Sequence, residues 1–215
     1  AAYHGHLHIL EWFHKQSYKY NHGCYDDDDD GSCICTNAAL GGQLDVLKWA
    51  QAAAYSWNHK TTAAAAKSGH LEVLKWLVEN DCKMGYNICA SAAMGGHMHI
   101  LQWLRQKKHP WDAHTCYNAA TFGNFNILKW AHQKGCPWDS RTCSAALSHR
   151  YFHIFKWAIE NGCEYDDDNS YNLKDFKSTK LDKINDNETD FWVSKKGKIY
   201  TALLFLFRAL KYLYL

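Results

Sequence analysis

The chain has 215 residues with 24 basic and 22 acidic side chains, a net charge of +2. Charges mixed in that balance give no electrostatic footprint for nucleic acid or an anionic membrane surface. The length would suffice for one sizeable core, but an internal repeat divides it. Trp12, Trp49, Trp76, Trp103, Trp130 and Trp157 follow one another at a first interval of 37 residues and then always at 27. Self-similarity at such a period is the signature of a solenoid held together by nearest-neighbour contacts.

In chain order, Ala1-Ala2 are the paired alanines of the repeat, so the sequence opens inside a first helix and the first copy, residues 1–13, is truncated. Ten extra residues precede Cys35, and the run Asp26 to Asp30 predicts a solvated, mobile loop. Asp26-x-Asp28-x-Asp30-Gly31 matches the first half of a calcium loop, but the twelfth position is Asn37 where a bidentate Glu is needed, so no calcium site is expected. Five further units centre on the later Trp residues. In residues 112–138, Asp112 can cap a short first helix through Thr115-Cys116-Tyr117-Asn118-Ala119-Ala120, which Gly123 closes in the left-handed conformation. A second helix runs from Asn124 or Phe125 to about Gln133, with Phe125, Ile127, Leu128, Trp130 and Ala131 on one apolar face, and Gly135 ends it. Each helix is too short to survive alone in water, so stacking must supply the stability. Arg150 stands where other copies have Gly42, Gly69, Gly96 and Gly123, which predicts a distorted turn there.

Nine cysteines fall mostly into two columns of the repeat, Cys35, Cys89, Cys116 and Cys143 (with Thr62), and Cys82, Cys136 and Cys163 (with His109). Neighbours within a column lie about a helix diameter apart, roughly 10 Å. A disulfide needs Cα atoms within about 7 Å, so such neighbours should not bridge. Small buried thiols in a reducing compartment are the expectation, placing the protein inside the cell, in the cytoplasm.

The sequence A-A-x-x-G-H, as in Ala65-Ala66-Lys67-Ser68-Gly69-His70, followed by the apolar pairs Val73-Leu74 and Leu77-Val78, resembles the ankyrin repeat. The resemblance covers residues 1–165, and it is closest to short Trp-containing variants of the G-H-L-E-V-L-K-W and G-C-P-W-D type found in giant viruses, amoebae and other protists. It implies an all-α, ankyrin-like helix-turn-helix solenoid. Thr115-Cys116 and Thr142-Cys143 replace the family's Thr-Pro-Leu-His. The connection after Gly135 is about six residues shorter than the family's, which leaves little chain for a β-hairpin finger.

A Trp buries on the order of 150 to 250 Å². The connection aromatics Trp57, Trp111, Trp138 and Tyr165 are therefore expected to cover the helix Trp residues, making the Trp ladder structural. The resemblance implies instead that a partner meets the concave face, at the variable positions after the paired alanines. The candidate residues are Lys67, Ser68, Met94, Tyr117, Thr121, Phe122, Ser148 and His149, with Gly95 beside Met94.

No Gly-x-Ser-x-Gly, phosphate-cradling loop or His-Glu-x-x-His is present, and no C-x-x-C. His97-Met98-His99 puts its histidines on different helix faces. The reading is thus a non-catalytic scaffold for an unidentified protein partner, with no cofactor, no metal and no nucleic acid. After residue 165 a polar linker, residues 166–198, lacks apolar anchors. Residues 199–215 read as an apolar helix with Leu203, Phe207, Leu210 and Tyr214 in one stripe, interrupted by Arg208 and too short to span a membrane. That helix is expected to cap the array. The alternative is a repeat adaptor tethered to a membrane surface through it, and a third reading is an enzyme fragment lacking its catalytic part.

Overall fold

The computed structural model describes residues 1–16 and 33–165. The acidic run, the polar linker and the apolar segment 199–215 lie outside the described residues. Residues 1–165 belong to one compact unit, and its described residues are helical without a strand.

After a 3-10 turn, Ala2–His4, comes α1 (Leu7–Lys15). Five helix pairs follow: α2 (Ile34–Leu40) with α3 (Leu44–Ala52), α4 (His59–Ser68) with α5 (Leu71–Glu79), and α6 (Ile88–Gly95) with α7 (Met98–Gln106). The last two are α8 (Ala113–Thr121) with α9 (Phe125–Gln133), and α10 (Ser140–Ser148) with α11 (Phe152–Glu160). From α3 onward the second helices begin 27 residues apart, which is the period of the Trp column. The expected cap is present: the Asp112 carboxylate accepts from the His114 N–H, and Asn58 and Asp139 do the same at α4 and α10. At α6 the equivalent residue is Gly85, which has no side chain to cap with, and that helix starts later, at Ile88.

First helices stack on one another in the order α2, α4, α6, α8, α10, while each second helix packs mainly on its own first helix. The cause is side-chain size. Ala38, Ala39, Ala65, Ala66, Ala92, Ala93, Ala119, Ala120 and Ala146 are all fully buried between neighbouring first helices, and a methyl group lets two backbones approach closely. The second helices supply the larger apolar groups, with Leu47, Leu74, Leu77, Leu101, Leu104 and Leu128 fully buried. At roughly 1.5 to 3 kcal/mol each on burial, these side chains are the main favourable term.

Both turns of every unit use the left-handed conformation. After the second helices it is taken by Ala54, Asp81, Lys108, Gly135 and Gly162, and after the first helices by Gly42, Gly69, Gly96, Gly123 and Arg150. The distorted turn expected at Arg150 is therefore not formed; its φ is 61° against 72° at Gly123. The reason lies in the neighbours. A Cβ on Gly69 would sit 2.6 Å from the His97 ring, and one on Gly123 would sit 2.7 Å from the Tyr151 ring, whereas one on Gly135 meets nothing within 4 Å. Glycine is thus required where the following repeat presses a side chain onto the turn. Positive φ alone costs a non-glycine residue about 1 kcal/mol, which the fold tolerates at four positions.

Candidate interaction face

The eight candidate residues come together at one end of the stacked first helices. Lys67 and Ser68 close α4, Met94 lies near the end of α6, Tyr117 and Thr121 are on α8 with Phe122 at its C-terminus, and Ser148 and His149 end α10. Their spacing of 27 residues along a stack of adjacent helices sets them in a row across four repeats. Lys67, Phe122, Ser148 and His149 are exposed, and Ser68, Met94, Tyr117 and Thr121 are half-buried.

Their polar groups are not equally available. Thr121 Oγ1 donates to the Tyr117 carbonyl at 2.8 Å, Ser148 Oγ donates to the Ser144 carbonyl at 2.8 Å, and His149 Nδ1 lies 3.0 Å from the Ala145 carbonyl. These three bond back to their own helices, as short polar side chains near a helix end do. Phe122, 49% exposed, is the largest apolar group that the row offers to solvent. Beside Met94, Gly95 is held by packing: a Cβ there would lie 1.9 Å from the Lys67 carbonyl. Its variation between copies follows from that approach and carries no recognition.

Beneath the row runs a second column, whose role the sequence reading missed. Gln43, His70, His97, Asn124 and Tyr151 each precede a second helix, and the first four reach back to the preceding repeat. Gln43 Nε2 donates to the Tyr3 carbonyl at 3.3 Å, His70 Nε2 lies 3.2 Å from the Leu40 carbonyl, and His97 bonds the Lys67 backbone. Asn124 Nδ2 donates to the carbonyls of Ala93 at 2.7 Å and Met94 at 3.1 Å. These carbonyls are the ones a helix leaves without an internal partner at its C-terminus. The column therefore caps each first helix with the next repeat's side chain and fixes the row above it. A signal existed in the sequence: a residue able to hydrogen-bond recurs there at the repeat period, while the neighbouring positions change character.

At the opposite ends of the first helices, the Arg141 guanidinium beside Asp139 holds its carboxyl below the usual carboxylate range. Arg141 Nη1 also donates to His114 Nε2 at 3.5 Å, and His114 Nδ1 meets Asp112 at 3.0 Å. Charges paired in this way leave a polar rim with little net field. Nearby in the register, Tyr86 is 79% exposed, another feature the sequence reading did not single out.

The Trp ladder packs as expected, with a different offset. Trp57 meets Trp76 edge-on at 5.6 Å, Trp111 meets Trp130 at 5.7 Å and Trp138 meets Trp157 at 5.7 Å, each pair 19 residues apart. A connection aromatic thus covers the Trp of the repeat that it leads into. Arg105 lies over the second face of Trp111 at 4.3 Å, and His132 stacks on Trp138 at 4.0 Å. Trp76 and Trp103 are half-buried, while Trp12 is 55% exposed.

Cys35, Cys82, Cys89, Cys116, Cys136, Cys143 and Cys163 are free and buried, so column neighbours do not bridge. Burial pushes the thiols of Cys35, Cys82 and Cys89 up to about 12. Cys33 is disulfide-bonded, an exception to the expectation of reduced thiols. Among the described residues no group of three or more His, Cys, Asp or Glu could hold a metal ion.

This geometry defines a helical repeat array with a row of side chains held at its first-helix ends. Residues 63–105 and 89–132 match the family model for Ankyrin repeats (many copies), so the central repeats are ankyrin-like. The crystal structure of the human ASB11 ankyrin repeat domain is similar with a TM-score of 0.48 and 16% identity, over 60% of this chain and 69% of that one. No curated protein matches the chain.

Proposed function

We propose that residues 1–165 form a non-catalytic scaffold that holds a segment of another protein against Lys67, Met94 and Phe122. The supporting observation is the row itself: an exposed cation, a half-buried thioether and an exposed ring stand at equivalent positions of successive repeats, above joints whose own hydrogen bonds are satisfied. Such a row suits a segment with apolar side chains in its middle and an acidic group toward Lys67. Aromatic and methionine side chains are favoured as anchors at protein interfaces. Ser68, Tyr117, Thr121, Ser148 and His149 border these anchors and supply shape more than polar contacts. The cytoplasm remains the proposed compartment on the strength of the seven free thiols. No described helix is long and apolar enough to cross a membrane, and the reading of a tether on a membrane surface rests on residues outside those described.

The test is the double substitution Met94→Ala and Phe122→Ala. A partner recovered with the unaltered chain and then measured in purified form should bind the variant at least about tenfold more weakly, the loss of one good anchor, while Tm changes little. Equal affinity for both chains would remove this face from consideration.

A further inference from the structure

The repeat register sets the two cysteine columns against each other within a unit. Cys89 Sγ lies 4.0 Å from His109 Nδ1 in one unit, Cys116 shares a hydrogen bond with Cys136 in the next, and Cys143 shares one with Cys163 in the last. In that last unit Cys143 Sγ also lies 3.9 Å from the Cys163 carbonyl, so the α10 thiol faces the backbone that leaves α11. Both cysteines are free, and neither belongs to the interaction row.

We propose that Cys143 and Cys163 are a reversible dithiol–disulfide pair, closed by exchange with a small-molecule disulfide and clamping α10 to the segment that follows α11. Their environments divide the work. Cys143 is fully buried and Cys163 is 5% exposed, so an incoming disulfide meets Cys163 first. The hydrogen bond from Cys143 holds the Cys163 thiol below its ordinary value, and it pushes Cys143 up, with burial adding to the rise. An attacking thiol with more thiolate character beside a protonated resolving thiol is the arrangement that exchange requires. At the Cys116 crossing the same pair of residue types recurs, but both members are buried, at 0% and 4% exposure.

The step balances as follows. The Cys163 thiolate attacks one sulfur of the small disulfide, forming a mixed disulfide and releasing one small thiol, which takes the Cys163 proton. Cys143 then loses its proton and attacks Cys163 Sγ, and the second small thiol leaves with that proton. The two cysteines are oxidised to a cystine and the small disulfide is reduced to two thiols. The closed loop, residues 143–163, restricts the unfolded chain, so the oxidised form should unfold at a higher temperature.

Incubating the full chain with glutathione disulfide, blocking the remaining thiols by alkylation and mapping the peptides tests this. The expected result is a linked Cys143–Cys163 peptide, lighter by two hydrogen atoms, that disappears on adding excess reduced glutathione and accompanies an upward shift of Tm. Cys143→Ala should stop at the Cys163–glutathione adduct. Wild-type protein in which both cysteines remain alkylated, or in which the Cys163 adduct never resolves, overturns the proposal. The wild-type map decides the matter even if the variant fails to fold, and it separates this pair from the disulfide at Cys33.

Discussion

Asn124, the residue before α9, donates from Nδ2 to the Ala93 carbonyl near the end of α6 at 2.7 Å. The same amide reaches the Met94 carbonyl, so one side chain closes the C-terminus of a helix that belongs to another repeat. Neither carbonyl can turn to water without opening the joint. Asn124→Ala should therefore cost about 1 to 3 kcal/mol in urea unfolding, the penalty for stranding a part-buried acceptor. Hydrogen exchange should speed up at α6 and α9 ahead of α2 and α3. A loss spread evenly over all helices would contradict a local joint.

The glycines offer a matched comparison. Gly69→Ala and Gly135→Ala both place a Cβ at positive φ, costing about 1 kcal/mol, but only Gly69→Ala also drives that Cβ into the His97 ring. Overpacking of this kind adds roughly 1 to 3 kcal/mol. Arg150→Gly should go the other way and gain up to about 1 kcal/mol. Thermal denaturation of the three variants checks the order, and equal losses at residues 69 and 135 would refute the role given to the neighbour.

Acid should loosen one joint. Desolvation lowers His97 below the usual histidine value of 6.5, with His99 and His70 acting in the same direction against the Lys67 backbone bond. A folded value below the unfolded one means the unfolded chain takes up the proton first, so stability rises with pH. The contribution is complete above about pH 6.5 and is lost as pH falls through the folded value. His97→Asn, which copies Asn124, should flatten the slope of the urea midpoint between about pH 5 and 7. An unchanged slope would assign the titration to another group.

Thr115 and Thr142 are fully buried, and neither hydroxyl has a hydrogen-bond partner. The equivalent residues of α2 and α6 are Ile34 and Ile88. Replacing a stranded hydroxyl by a methyl removes its desolvation penalty, so Thr115→Val should leave stability equal or raise it by about 1 kcal/mol. A marked loss in calorimetry would reveal a hidden partner for Thr115.

Much of this architecture was legible because a repeat writes its phase many times. The Asp112 cap, the helix pair of residues 112–138 and the stacking through paired alanines could be read from residue type and spacing alone. Arg150 was misjudged because glycine was assigned to backbone conformation, when its column is set by contact with a residue 28 positions later. That cause is invisible in local sequence. The Trp offset failed for a related reason: Trp57 was compared with the Trp before it, but the chain carries Trp57 forward onto Trp76. At the interaction row, periodicity located the positions, yet it could not show that Thr121, Ser148 and His149 spend their polar atoms on their own helices.

The relation between Gly123 and Tyr151 also bears on how the array can change in length. A 27-residue block duplicated anywhere between Gly42 and Gly123 carries both a notch for the following block and a peg for the preceding one, so the copy is self-fitting from the outset. A block inserted after Arg150 would find the notch already filled. Lengthening the protein there would require Arg150→Gly first, which makes this single residue a stop placed on growth by duplication.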